Sequence, residues 1–173
     1  MIMKKTTLLV IILFIFFGCK KEVEDAFTFD SLVLSSAGLD EDNSIKFTNS
    51  DTVFLQRRYP GPTENFYAVI ANDQKIKFKK QLQRLNLKKY KSEYTQENLC
   101  DGGASLINIS INGKTKSIFI YGHVAPEKLY TFIDSLGTFK KNLKFRTTKQ
   151  VIDFGDLNAI LPPPPPPLKT KTK

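Results

Sequence analysis

Between Ser105 and Tyr121, two runs rich in β-branched and aromatic residues flank Asn112 and Gly113. That pair tolerates the positive φ angles a two-residue hairpin turn requires. A hairpin here settles which side chains can share a face. Any even-length loop pairs residues whose numbers have an odd sum, so Ile107, Ile109, Ile118 and Ile120 lie together. They form the expected core face. Asn108, Ser110, Thr115 and Ser117 fall on the other, with Phe119 and Tyr121 toward its far end, and Asn108 and Ser117 are expected to be exposed. A sheet with one apolar face needs an apolar layer laid over it by the rest of the chain.

Two stretches have the periodicity to supply that layer. Asn72 or Asp73 can cap a helix running to about Asn86, with Phe78, Leu82 and Leu85 at i, i+4 and i+7. Ala125 and Pro126 open a second, where the missing N–H of proline costs nothing, and Leu129, Phe132, Ile133 and Leu136 form its apolar stripe. Gly137 weakens this helix or ends it early. Phe27 to Ser35 carries apolar side chains on both sides, the pattern of a strand covered on both faces or broken by a bulge. Ile45–Thr48 and Thr52–Arg58 read as a hairpin around Asn49, Ser50 and Asp51, closed by Tyr59, Pro60, Gly61 and Pro62. Phe66 to Ala71 is a further strand, and Val151 to Phe154 is expected to return as an edge strand. The fold class is therefore α+β: over residues 27–160, one antiparallel sheet with two helices packed on one face.

The chain begins with a different kind of segment. Lys4 and Lys5 precede an unbroken apolar run from Leu8 to Phe17, followed by Gly18 and Cys19, the parts of a secretory signal. Phe16, Phe17, Gly18 and Cys19 resemble the lipobox of bacterial lipoproteins, departing from it where Leu and then a small residue are usual. The resemblance implies cleavage after residue 18 and diacylation of the Cys19 thiol, leaving a mature chain anchored to a membrane by lipid. A retained spanning helix fits poorly: Thr6 to Gly18 is 13 residues, about 20 Å of helix against a hydrocarbon core of about 30 Å. Residues 19–26, with Lys20, Lys21, Glu22, Val23, Glu24 and Asp25, form a charged tether without periodicity. This stretch is also similar to the lysine-plus-acidic signal that sends some lipoproteins to the outer face of the cell. The expected location is the cell envelope, at the outer membrane of a Gram-negative bacterium.

Charge narrows the partners. The formal net charge is +9, and an exported chain of that sign meets anionic lipid head groups and polysaccharide before nucleic acid, which is not an expected partner. Lys75, Lys77, Lys79, Lys80, Arg84, Lys88, Lys89 and Lys91 form a basic run with no acidic residue among them. Such a run is either a solvated face or a basic amphipathic helix suited to an anionic membrane surface. The chain has 2 cysteines. Acylation of Cys19 leaves Cys100 without an internal disulfide partner, and it is expected as a small core residue.

Asp101 and Gly102, then Asn112, Gly113, Lys114, Lys116, Ser117, Ile118, Tyr121 and Gly122, then Pro126 and Leu129, resemble the second half of a small α+β domain of unknown function found in bacterial lipoproteins. The resemblance runs from about Phe47 to Phe145. It implies a fold and a location but no activity. Some members carry a cysteine pair near the domain start; the corresponding Arg57–Pro62 has none, which argues against a redox role. Asn108, Ile109 and Ser110 match the N-glycosylation triplet, a coincidence in a bacterial lipoprotein strand.

An enzyme would have to draw on Cys100, His123 and Asp101 or Asp153, with the thiol within hydrogen-bond reach of the imidazole. The chain has no glycine-rich phosphate loop after a strand, no histidine pair with metal spacing and no nucleophile-elbow serine. Asp40, Asp42, Ser44 and Asp51 have the spacing of calcium-loop positions 1, 3, 5 and 12. Ile45, however, stands where the sharp turn needs Gly, and the last ligand is Asp rather than a bidentate Glu. No cofactor or metal is expected. The expected function is a non-enzymatic binding or structural module of the envelope; the alternative is an envelope enzyme using Cys100 and His123.

After Leu161 come six consecutive prolines and a tail ending in three lysines. Polyproline II extends about 3.1 Å per residue, so within the tail 161–173 the six prolines are expected to form a stiff arm and Leu168 to Lys173 a disordered end, neither part of the core. Its candidate partners are an anionic envelope polymer or a polyproline-binding protein with an aromatic-lined groove.

Overall fold

In the hairpin that organises the sequence, Ile107 lies opposite Ile118 and Ser110 opposite Thr115, with Asn112 and Gly113 both at positive φ in the turn. Ile107, Ile109, Ile118 and Ile120 are all buried in the main core. The computed structural model describes residues 28–161; the expectations for the signal, Cys19, the tether and the polyproline arm lie outside them. In chain order the elements are β1 (Ser31–Ala37), β2 (Asp42–Thr48), β3 (Thr52–Tyr59), β4 (Glu64–Val69), α1 (Asn72–Leu85), a 3-10 turn (Leu87–Lys89), β5 (Glu93–Thr95), β6 (Ala104–Ile111), β7 (Lys114–Tyr121), α2 (Glu127–Lys141) and β8 (Arg146–Thr148). All eight strands form one sheet in the order β5-β7-β6-β1-β2-β3-β4-β8. Every neighbouring pair is antiparallel except β5 with β7, which is parallel. The protein is thus α+β, with a mostly antiparallel sheet and two helices.

The helices bury the stripes their periodicity assigns. Phe78 and Leu82 of α1 and Leu129, Phe132 and Leu136 of α2 join Leu32, Leu34, Ile45, Phe47 and Val53 from the sheet in one core. The cap of α1 differs from expectation. Ala71 is the N-cap, and the backbone N–H of Ala71 donates to Gln74 Oε1 at 3.0 Å, so Asn72 and Asp73 sit inside the first turn, where Asp73 suits the positive end of the helix. Asn86, at φ 46°, ends the helix in the left-handed conformation. The turn that follows drives Leu87 into the core.

Gly137 does not end α2, which continues to Lys141. A Cβ added at Gly137 would meet nothing within 4 Å. Gly137→Ala should therefore stabilise the domain by roughly 0.5–1 kcal/mol through backbone entropy, read as a higher urea midpoint with unchanged slope. A lower midpoint would show that the open space beside Gly137 has to stay empty.

Four consecutive residues of β1, Leu32 to Ser35, are buried, so the strand is covered on both faces. The second layer is the segment from Gln150 to Leu161, which crosses the face opposite the helices. Val151 to Phe154 is accordingly not an edge strand: that position belongs to β8, paired with β4. Three sheet side chains hold the crossing segment by its backbone. Asn65 Nδ2 donates to Gln150 O at 3.0 Å, Lys46 Nζ to Asp153 O at 2.5 Å and Asn108 Nδ2 to Asp156 O at 2.9 Å. Phe154 and Ile160 are buried along it, at 4 % and 8 % exposure. This layer also corrects the reading of the hairpin's outer face. Ser117 is exposed, but Asn108 is buried under the crossing segment at 7 % exposure, which also closes the Asn108–Ser110 triplet to modification.

Beside this layer lies a polar network. Ser35 Oγ and Ser44 Oγ are 2.6 Å apart, and Arg58 Nη1 donates to Ser44 Oγ at 2.7 Å while Arg58 Nη2 donates to Asn43 O at 3.2 Å. Burial lowers the pKa of the Arg58 guanidinium, and the nearby Asp42 carboxylate partly offsets this; an arginine stays charged regardless. Ser44 is therefore a strand residue bonded within the sheet, not a position in a calcium loop. Among the described residues no cluster of three or more His, Cys, Asp or Glu could hold a metal ion.

Candidate functional site

Asp30 fixes the first described residues, which begin at Thr28, to the domain. The backbone N–H of Asp30 donates to Ser110 O at 2.8 Å, and its carboxylate accepts from Gly113 N at 2.8 Å and Ser110 Oγ at 3.2 Å. These bonds place the first described residues against the tip of the β6–β7 hairpin. On the other side of the same end stand the last turn of α1 and the 3-10 turn. Lys116, on β7, ties the two together: its ammonium donates to Tyr90 O at 2.5 Å and Lys88 O at 3.2 Å.

Between hairpin and turn opens a cleft of about 660 Å³. Its floor is apolar, from Leu82, Leu87, Ile109 and Ile111, and Lys88, Lys114 and Lys116 stand on its rim, with Thr28 at its edge. Around the 3-10 turn lies a second groove of about 420 Å³, between the C-terminal end of α1 and the N-terminal half of α2, where Arg84, Lys89 and Lys128 surround Leu85, Tyr90 and Phe132. The two helices are joined beside it by the hydrogen bond from Gln81 Nε2 to Ser135 Oγ. Among the described residues, no ion pair neutralises Arg84, Lys88, Lys89, Lys114, Lys116 or Lys128. Apolar floors with unneutralised cationic rims suit anionic ligands that carry some apolar surface, because each charge left in the rim attracts its counterpart at short range.

The structure divides the basic run expected from the sequence. Lys75 pairs with Asp51 at 3.6 Å and Lys77 with Asp73 at 3.9 Å, so acidic residues from outside the run offset its first part. Lys79 is half-buried and Lys80 exposed on α1, while Lys91 is exposed ahead of β5. Arg84, Lys88 and Lys89 come to the end of the domain just described, where Lys114, Lys116 and Lys128 join them from other elements. Those last three were not part of the expected basic surface. The signal that could have found Lys114 and Lys116 is their place at the hairpin turn, once the start of the domain is known to sit there.

The residues of the alternative enzyme reading are not joined to one another by hydrogen bonds. Cys100 is exposed, contrary to its expected place in the core, in the loop that Tyr121 holds by donating to Leu99 O at 3.0 Å and accepting from Gly102 N at 3.2 Å. His123 is exposed as well; its backbone N–H donates to Gln96 Oε1 at 2.9 Å and its ring lies 6.1 Å from that of Tyr130. No hydrogen bond joins Cys100 to His123, and Asp153 sits on the segment crossing the opposite face of the sheet, where its carboxylate accepts from Gly155 N at 2.7 Å. Among the described residues no helix is long and apolar enough to cross a membrane. No protein-family model, curated protein or solved structure matches the chain.

Proposed function

We propose that this chain is a lipid-anchored protein of the bacterial envelope, held through Cys19 at the outer membrane, whose domain is a non-enzymatic binding module for anionic membrane head groups. The observation that carries the reading is the convergence of Arg84, Lys89 and Lys128 on the groove next to the cleft that Thr28 lines. Thr28 follows Cys19 by nine residues, which fully extended span at most about 30 Å. A domain on so short a lead brings this basic end within reach of the lipid surface. Each exposed lysine or arginine near an anionic bilayer contributes about 1 kcal/mol, and the attraction fades within a Debye length.

Cys19→Ala should remove the protein from lipid labelling and leave it soluble or uncleaved; labelling that persists in this variant refutes the anchor. With the anchor intact, Arg84→Glu, Lys89→Glu and Lys128→Glu together should weaken association with vesicles containing anionic lipid at low salt and leave association with zwitterionic vesicles unchanged. Equal binding of both proteins to anionic vesicles would remove the head-group reading and leave the anchor standing.

A further inference from the structure

We propose that the larger cleft is the docking site of the chain's own acidic tether, Glu22 to Phe27. Three observations converge on this occupant. First, Thr28 already lines the cleft, and the bonds of Asp30 to Ser110 and Gly113 fix the chain there, so the preceding residues begin at its mouth. Second, the charges are complementary: Glu22, Glu24 and Asp25 precede Thr28, while Lys88, Lys114 and Lys116 stand on the rim with no carboxylate partner among the described residues. Third, the segment carries apolar Val23 and Phe27 among its acids, and the cleft likewise combines an apolar floor, with Leu87 and Ile109, with its cationic rim. Covalent continuity raises the local concentration of this segment to the millimolar range, so even a weak match is occupied.

The inference goes beyond the membrane reading and does not rest on it, because the docked tether involves neither the acyl group nor the second groove. Its effect is to shorten the free lead between Cys19 and the domain to the stretch before Glu22, which turns a leash into a bracket and fixes which face of the domain looks at the surface.

The test is zero-length coupling of carboxylates to amines by a carbodiimide on the full chain in detergent, followed by peptide mapping. Coupling of Glu22, Glu24 or Asp25 to Lys88, Lys114 or Lys116 is expected to dominate. It should fall several-fold in the Lys88→Gln, Lys114→Gln double variant with no compensating rise elsewhere. Coupling spread evenly over remote lysines such as Lys46, Lys77 and Lys149, or no coupling of the tether at all, overturns the proposal. A second readout covers a variant that folds poorly: in a chain that keeps Lys88 and Lys114, Glu22→Gln with Glu24→Gln and Asp25→Asn should speed amine acetylation of Lys88 and Lys114 and leave that of Lys77 unchanged. Unchanged acetylation at all three sites overturns the proposal equally.

Discussion

Replacing Phe78 with alanine is expected to cost about 3–5 kcal/mol of folding free energy, a large share of the roughly 5–15 kcal/mol by which a domain is stable. Phe78 is the meeting point of the sheet and both helices. Its ring stacks on Phe47 with centroids 4.4 Å apart, meets Phe29 edge-on at 5.8 Å and faces Phe139 of α2 at 6.4 Å. Truncation to alanine removes the buried ring and leaves three aromatic neighbours around a void that α1, pinned by the Leu82 side chain and the Gln81–Ser135 bond, is poorly placed to collapse. Phe78→Leu keeps most of the volume and should cost well under half as much. Urea unfolding of the two variants measures both. A Phe78→Ala cost near 1 kcal/mol would mean that α1 repacks freely and that the aromatic cluster does not fix its position.

Cutting the chain after Thr148 should have an effect of similar size, although no helix or strand is lost. The crossing segment contributes two buried side chains, Phe154 and Ile160, at about 1.5–3 kcal/mol each. It also gives Asn65, Lys46 and Asn108 their carbonyl partners. Its loss would open the outer faces of β1 and β6, where Val33 and Leu106 are at 3 % and 2 % exposure. A drop in melting temperature of more than about 10 °C is expected. The same cut moved to a point after Leu161 removes only the proline arm and should leave the melting temperature unchanged. Circular dichroism melts of the two truncations decide the matter. Equal melting of the intact chain and the shorter product would show that the crossing segment only rests on the sheet.

The parts of this fold that can be read from the sequence are those specified by neighbours in the chain. The Asn112–Gly113 turn sets the register of β6 and β7, and a regular stripe such as Leu129, Phe132 and Leu136 marks α2, because turn chemistry and helical periodicity act over a few residues. The apolar side chains on both sides of Phe27 to Ser35 leave cover on both faces or a bulge open; Leu32 to Ser35 are buried on both faces, and nothing local says what the second cover is. β5 and β8, each 3 residues long, are too short to show an alternation and exist only because an edge of the sheet is there to receive them. Within the crossing segment, Val151 to Phe154 reads locally as a short edge strand. Its hydrogen bonds go instead to side chains far away in sequence. Asn108 reads as an outward residue for the same reason: its cover arrives from residues about fifty positions later. The basic site was half legible. Arg84, Lys88 and Lys89 stand in a visible run, but Lys114, Lys116 and Lys128 join them only through the tertiary arrangement, and two of the run's other lysines are offset by acids.

One consequence of the crossing segment concerns length rather than composition. The carbonyls it offers to the sheet belong to Gln150, Asp153 and Asp156, spaced by threes, and any residue type presents a carbonyl. The segment works as a ruler. Apart from buried Phe154 and Ile160, Gly155 at φ 75° and the turn-forming Asp153 and Asp156 carboxylates, its side chains take no part in fixing these three bonds, whereas one residue inserted between Asp153 and Asp156 would throw the last graduation out of phase with Asn108. Relatives of this domain should therefore vary more in the letters of that stretch than in their number, so that gap placement, more than identity, identifies it.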